Sequence, residues 1–139
     1  MLRYAILAFV MTAAMAQADP ATLAAVNSAR AAEGRGALVY DPRLEAAARA
    51  HGEDMVAQGF FSYTGSEGSD IAARLRRVGY PFCFGAENIA AGQHSLEAVM
   101  AGWMASRGHR RNILNRKAEA VGVAHVTGNR WVMVLAAPC

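Results

Sequence analysis

The chain has few cysteines and none of the short cysteine patterns that hold metals. Only Cys83 and Cys139 occur among its 139 residues, and neither belongs to a C-x-x-C pair or a Cys/His cluster. This excludes a zinc finger or zinc ribbon. Two cysteines can still form a disulfide if the chain is exported to an oxidising compartment. We therefore predict a Cys83–Cys139 bond, which would close a loop of about 57 residues.

A strong charge of one sign is also missing. The chain carries 14 basic and 11 acidic residues, a formal net charge of +3. This balance is too mild to indicate a nucleic-acid-binding protein. We expect its two small basic groups to lie on a solvated face, with contact to an anionic envelope or polysaccharide as the alternative. These groups are Arg74, Arg76 and Arg77, and Arg107, Arg110 and Arg111.

Beyond the first residues there is no long apolar run. Tyr4 to Ala16 is almost wholly apolar, follows Arg3 and leads into the A-x-A pattern Ala16-Gln17-Ala18. The run is shorter than the ~20 residues that span a bilayer. Its order is typical of a secretory signal peptide. We expect residues 1–18 to be removed and residues 19–139 to form one exported domain, periplasmic or extracellular and not integral to a membrane. The residue directly after the predicted cleavage site is Asp19 and not a cysteine, which argues against a lipid anchor.

Internal repeats, low-complexity segments and a second-domain boundary are absent from the sequence as well. No serine lies in a G-x-S-x-G nucleophile elbow, so a serine hydrolase has no local support. Start and stop signals predict helices from Pro20 towards Gly34, from Pro42 to Gly59, from Ser69 or Asp70 through Arg77, and from Ser95 to Gly108. Strands are predicted at 82–91, 121–126 and 130–137.

The last predicted strand is apolar on both faces. Trp131, Met133 and Leu135 alternate with Val132 and Val134. A strand of this kind is buried on both sides. Helices packed on the two faces of a sheet would bury it in this way.

Two polar motifs carry the chemistry of the chain. Glu87 lies in Glu87-Asn88-Ile89, and His109 begins the run His109-Arg110-Arg111-Asn112-Ile113. A Glu and a His brought together can satisfy each other, bind a metal or carry out acid/base work. A structural role, pinning a strand to a helix end, is the alternative. If the two side chains pair away from water, the pKa of His109 should rise.

An ordered set of motifs resembles bacterial members of the CAP superfamily, the SCP-like or cysteine-rich secretory protein family. The resemblance covers roughly residues 22–136 and implies an α+β fold, an α–β–α sandwich. Its pieces, in order, are Asn27-Ser28-Ala29-Arg30, Leu38, Leu44, Ala47-Ala48, His51, Met55, Phe60-Phe61-Ser62, Arg74, Gly79-Tyr80, Glu87-Asn88-Ile89, Trp103, residues 108–114 and Gly122-Val123.

The resemblance also implies a polar cleft of two histidines and two acidic residues. Glu87 and His109 match one of each. Tyr63 stands where relatives have the first histidine, and Ser106 stands where many have the second acid. Glu119 lies one residue from another acidic position of bacterial relatives, and on a strand it points to the opposite face.

This half-populated cleft argues against tight metal binding. A catalytic zinc usually has three protein ligands, whereas Glu87 and His109 supply two. Tyr63 is a poor ligand because a phenol titrates near ~10, although it could donate a hydrogen bond to either neighbour. We expect no cofactor beyond weakly held zinc. The other histidines contribute less, since His51 is expected to be a satisfied core residue and His94 to be exposed.

The sequence therefore predicts a monomeric, non-enzymatic extracytoplasmic binding module. We assign no catalytic residue and place Tyr63, Glu87, Ser106 and His109 in the ligand-binding cleft. The ligand is an unidentified small molecule, lipid or envelope component rather than nucleic acid. A metal-dependent envelope hydrolase with a degenerate His/Glu site is the main alternative, and a purely structural envelope protein is the third.

Overall fold

The structure is a computed structural model that describes residues 19–139, so the predicted signal peptide lies outside the described residues. Within this range the chain forms five helices and four strands. In chain order they are α1 (Pro20–Ala32), β1 (Val39–Tyr40), α2 (Pro42–Gln58), α3 (Ile71–Arg77), β2 (Phe82–Ala91), α4 (Leu96–Ala105), α5 (Arg107–Ile113), β3 (Ala120–Val126) and β4 (Arg130–Pro138).

Capping residues set the ends of most helices where the sequence predicts them. The side chains of Asp19, Asp41, Asp70 and Ser95 accept hydrogen bonds from backbone N–H groups in the first turns of α1, α2, α3 and α4. These bonds satisfy donors that have no partner within the helix. Gly59 ends α2 with φ at 66°, a left-handed conformation that costs glycine little.

The helix predicted from Ser95 to Gly108 is two helices. Ser106 is extended, with φ −98° and ψ 124°, and separates α4 from α5. Gly108 therefore lies in the first turn of α5 and does not end α4. His109 and the arginines around it therefore lie on a short helix of their own, α5. The two-residue strand β1 was not predicted either.

The sheet has the strand order β1-β3-β4-β2. β1 runs parallel to β3, and β4 pairs antiparallel with both β3 and β2. Successive side chains of β4 enter two separate cores, as the apolar pattern predicts. Trp131 and Met133 pack with residues of α1, α4 and α5, whereas Val132 and Val134 pack with residues of α2 and α3. The α+β fold with helices on both faces of the sheet is confirmed.

Gly122 allows α2 to lie directly on the sheet. A Cβ atom at this position of β3 would collide with the backbone of Leu44 and Glu45 in the first turn of α2. Any other residue would have to push the helix away from the strand. This close approach fixes the distance of α2 from the sheet, and with it the position of His51 two turns later.

Candidate functional site

Glu87 lies in the interior and forms an ion pair with Arg74. Glu87 is 7% exposed, and its Oε1 accepts a hydrogen bond from Arg74 Nη2 at 2.7 Å. Arg74 comes from α3 and is 4% exposed, so the expectation that it lies on a solvated face is wrong. A carboxylate buried here requires a partner because an unpaired charge is costly away from water.

The Arg74 guanidinium also holds the loop before α3. Nη2 donates to the backbone carbonyl of Tyr63 at 2.9 Å, and Nη1 donates to that of Ser69 at 2.9 Å. Arginine suits this role because its planar group presents several donors in fixed directions. One side chain therefore connects α3, the 63–69 loop and Glu87 on β2.

His51 of α2 completes this buried group. It is 1% exposed, and its Nε2 lies 2.8 Å from the Ser62 carbonyl oxygen and 3.9 Å from Glu87 Oε1. A carbonyl can only accept, so Nε2 carries the proton in this hydrogen bond. Burial lowers the pKa of His51, and the nearby Arg74 lowers it further. The expected core position of His51 is confirmed, but the ring is satisfied only at Nε2, because Nδ1 is buried without a hydrogen-bond partner. The imidazole is neutral near pH 7 beside the Glu87–Arg74 pair.

Burial shifts the pKa of Glu87 in the opposite direction. It raises the pKa of this carboxyl group from 4.5 to about 7, against the lowering effect of the Arg74 charge and hydrogen bond. Burial disfavours the ionised form of an acid and the protonated form of a histidine alike. Glu87 is therefore poised to gain or lose a proton near neutral pH.

The side chain of His109 pairs with Tyr63, not with Glu87. The Tyr63 phenol oxygen lies 2.8 Å from His109 Nε2. Burial lowers the pKa of His109 and raises the pKa of Tyr63, so the phenol is protonated and the imidazole neutral at pH 7. The phenol then donates to Nε2. The hypothesis of a direct Glu87–His109 pair with a raised pKa for His109 is wrong, because Arg74 engages the carboxylate and desolvation governs the imidazole.

Two asparagines make the connection that was assigned to Glu87 and His109. Asn88, which is fully buried, donates through Nδ2 to the His109 carbonyl at 3.1 Å. Asn112 donates to Asn88 Oδ1 at 2.8 Å and to the Glu87 carbonyl at 3.3 Å. These amides pin β2 to α5, which leaves the side chains of Glu87 and His109 available for other contacts.

His109 and Ser106 line a cleft of about 340 Å³ between β2 and α4. Most of its wall is apolar and is formed by Phe61, Ile89, Ala90, Ala91, Val99, Gly102 and Trp103. Gln93 also lines it, and its Oε1 is buried without a hydrogen-bond partner. The opening thus combines an apolar wall with a few polar groups, the usual make-up of a small-molecule site.

Two of the four residues predicted to share the cleft line it in the structure. Ser106 and His109 line it, and Tyr63, which is half exposed, reaches it through its bond to His109. Glu87 lies behind them in the interior. A second groove, about 320 Å³ between α2 and α3, includes His51 and Arg74 in its lining.

The donor set around Glu87 does not fit a metal ion. A group of three His, Cys, Asp or Glu side chains arranged to hold a metal is absent among residues 19–139. Arg74 already donates to Glu87 Oε1 and places a permanent positive charge where a cation would bind. One Glu87 oxygen stays without a partner, but it does not make a site of three ligands.

Sequence reasoning missed the buried ion pair that Arg74 forms with Glu87. The signal that could have revealed it is its setting, because Arg74 lies between Ala73 and Leu75 in a helix whose other arginines, Arg76 and Arg77, are exposed. A charged residue at the buried position of an amphipathic helix requires an opposite charge. Glu87 is the acid in this sequence with a similarly apolar setting.

Comparison with protein families places these motifs in a known group. The model of the cysteine-rich secretory protein family, CAP, matches residues 23–136. An uncharacterised protein of Bacillus subtilis, YkwD, is 34% identical over 106 residues, which cover 76% of this chain and 41% of that protein. An uncharacterised membrane protein of the same organism, YlbC, is 31% identical over 97 residues, 70% of this chain and 28% of that protein. The chain spans less than half the length of either relative.

Solved structures show the same architecture. An extracellular protein with an SCP domain from Bacillus anthracis has a TM-score of 0.80 and 28% identity, over 84% of this chain and 39% of that one. An outer surface protein of Borrelia burgdorferi has a TM-score of 0.77 at 19% identity, over 84% and 90%, and supports the fold alone. Within residues 19–139, no helix is long and apolar enough to cross a membrane.

Proposed function

Since this chain belongs to the CAP, or cysteine-rich secretory protein, family, we propose that it is an exported, non-enzymatic binding module that takes its ligand in the cleft beside α4. The observation that carries the proposal is the 2.8 Å bond between Tyr63 and His109 at this cleft. It fixes a neutral imidazole with Nε2 as acceptor, so that Nδ1–H is left as a directed donor.

The remaining walls suggest the chemistry of the ligand. Phe61, half exposed, offers aromatic surface beside the buried Trp103, and the Gln93 side chain adds a polar group to the wall. A mainly apolar small molecule with one or two hydrogen-bonding groups complements this set. Small envelope lipids and their fragments have this composition.

Two further observations support export. The apolar stretch and A-x-A pattern of residues 1–18 are typical of a signal peptide. The similar Bacillus anthracis structure is described as an extracellular protein. The compartment that follows from this proposal is the periplasm or the cell exterior.

Blocking the cleft tests the proposal. Gly102 lies on its wall, and a Cβ there meets only the Gln93 amide nitrogen at 4.0 Å, so Gly102→Phe can place a ring in the opening. Ala101→Phe, exposed on the same helix but outside the cleft, is the matched control. Native mass spectrometry of the exported proteins should detect a small bound molecule on the wild type and the control, and none on Gly102→Phe.

Two results would overturn the proposal. One is a bound mass that persists in Gly102→Phe at wild-type occupancy, which would place the ligand elsewhere. The other is turnover of a peptide or glycan substrate that chelators abolish, which would favour the metal-dependent hydrolase.

A further inference from the structure

A basic groove lies on the opposite side of α5 from the Tyr63–His109 pair. It has a volume of about 520 Å³ and is lined by Arg35, Arg107, Arg110, Arg111, Leu114, Asn115, Arg116 and Lys117. His109 and Asn112 of the same helix turn towards Tyr63 and β2. The groove is therefore a separate surface from the cleft, although a single seven-residue helix contributes to both.

Positive charge in this groove is largely uncompensated. The sequence contains no acidic residue between Glu97 and Glu119, an interval that holds five basic residues of the groove. Within residues 19–139, the only member that forms an ion pair is Arg110, which contacts Glu33 at 2.9 Å. Arg107, Arg111, Arg116 and Lys117 are all exposed. Like charges held together in a concavity raise the local concentration of anions.

Buried arginine contacts hold this segment in place. Arg30 of α1, 2% exposed, donates through Nη1 to the carbonyls of Ile113 at 2.8 Å and Asn115 at 2.9 Å. Arg35 donates through Nε to the Leu114 carbonyl at 2.9 Å. The last carbonyls of α5 and the turn after it are thereby fixed to α1. The exposed cations project from this braced helix and the turn after it, which lowers the ordering cost of binding.

From this surface we infer a second binding function, the docking of a linear phosphate polymer. Arginine forks match phosphate oxygens in pairs, and five of the six cations are arginines. The large exposed apolar side chains of the described residues are Val39, Val56, Phe61 and Tyr63, and none lines the groove. A bilayer surface would benefit from such side chains, and a nucleic acid would benefit from aromatic rings for base stacking. A shallow, open groove of cations suits an extended chain of phosphates.

Docking of this kind would complement the proposed ligand site without depending on it. The groove and the cleft lie on different sides of α5, so a polymer held by Arg107 and Arg111 leaves Tyr63 and His109 open. The protein would be retained on a phosphate-bearing matrix while the cleft samples small molecules. Cleft blocking by Gly102→Phe and loss of groove charge should therefore have independent effects.

The experiment measures binding of fluorescent inorganic polyphosphate to residues 19–139 over a range of salt concentrations. Arg107→Gln/Arg111→Gln removes two groove charges. Arg49→Gln/Arg76→Gln removes two exposed charges elsewhere and leaves the same net charge. We expect the groove variant to bind about tenfold more weakly at low salt and its log–log salt slope to fall by roughly 1.4, since each contact to a single strand contributes about 0.7. The control should stay within about twofold of the wild type, because its arginines do not contact the polymer.

Three outcomes would overturn this inference. Equal weakening in the control would mean that overall charge, not the groove, attracts the polymer. Undetectable polyphosphate binding by the wild type would exclude the function directly. Binding to phosphatidylglycerol vesicles that requires Arg107 and Arg111, without binding to polyphosphate, would assign the surface to a membrane. Circular dichroism spectra that match the wild type show that both variants are folded.

Discussion

Arg74 Nη2 lies 2.7 Å from Glu87 Oε1 in the protein interior, and this contact determines the character of the site. Arginine stays protonated at any pH that the fold survives. The positive charge beside Glu87 therefore belongs to the protein itself and cannot dissociate as a metal ion would. The carboxylate that the sequence places at the centre of a possible metal site is held by the protein's own charge.

Removal of the two partners should have unequal effects on the free energy of unfolding. Glu87→Leu leaves the permanently charged guanidinium of Arg74 in the interior without a partner. This should lower the free energy of unfolding by about 3–5 kcal/mol. Arg74→Met should cost less, because Glu87 can take up a proton. The double variant should cost less than the sum of the two, measured by urea denaturation at pH 7. Arg77→Met, which removes an exposed pair with Glu67, is the control and should change little. Additive effects of the two single substitutions would mean that Arg74 and Glu87 are not coupled.

Glu87 should make the stability of the fold depend on pH. Its pKa is about 7 in the folded protein against 4.5 for the exposed group. Between these values the folded state binds more protons, so stability falls as pH rises from about 4.5 to about 7. The shift corresponds to about 3 kcal/mol.

The comparison with Glu87→Gln isolates this effect. Because the pKa values of His51 and His109 are lowered, these residues contribute in the opposite direction, and stability from them rises as pH approaches 6.5. Both proteins retain this contribution. Urea denaturation at pH 4.5 and pH 7.5 should show that the wild type loses stability relative to the variant. A constant difference between the two proteins would contradict the raised pKa.

The Tyr63 hydroxyl should hold His109 in one neutral tautomer. Burial lowers the pKa of His109. Donation from Tyr63 to Nε2 favours the unprotonated ring as well, so Tyr63→Phe should raise this pKa while the effect of burial remains. NMR titration of the imidazole in both proteins measures this change, and ¹⁵N shifts of the wild type should place the proton on Nδ1. His125, in β3 and distant from Tyr63 in sequence, is an internal control. A proton found on Nε2 at pH 7 would reverse the assigned direction of the hydrogen bond.

The disulfide should contribute substantially to stability. Cys83, near the start of β2, is bonded to Cys139 at the end of the described chain, with a sequence separation of 56. The predicted pairing is confirmed. Closing a loop of this length lowers the entropy of the unfolded chain, and the loop-closure relation gives roughly 4 kcal/mol. Cys83→Ala/Cys139→Ala should lower the urea midpoint accordingly. A reductant should lower the midpoint of the wild type to the same value. A urea midpoint that neither the double substitution nor the reductant lowers would show that the disulfide adds no stability.

The sequence predicts the layers of this fold well because local signals and tertiary packing agree. Asp19, Asp41, Asp70 and Ser95 cap their helices as their spacing indicates. The two apolar faces of β4 predict both cores. α5 was missed because Gly108 resembles a helix stop, and only the extended backbone of Ser106 shows where α4 ends.

The site could be predicted only in part. The sequence identifies Glu87, His109 and Tyr63, but charges pair across the fold in ways that spacing does not reveal. Arg74 and Glu87 are separated by 13 positions and a turn, and the contact depends on how α3 packs on β2. The desolvation that sets the pKa of His109 likewise follows from packing. The ligand-binding role of Tyr63, Glu87, Ser106 and His109 stays a prediction.

Zinc calorimetry tests most directly whether Arg74 takes the place of a metal at Glu87. We expect the wild type to bind Zn²⁺ weakly and to keep its stability in the presence of a chelator. Tyr63→His, which supplies an imidazole beside His109, should tighten binding, and adding Arg74→Met should tighten it further because Glu87 is released. Tight zinc binding by the wild type, with loss of stability on chelation, would contradict the account.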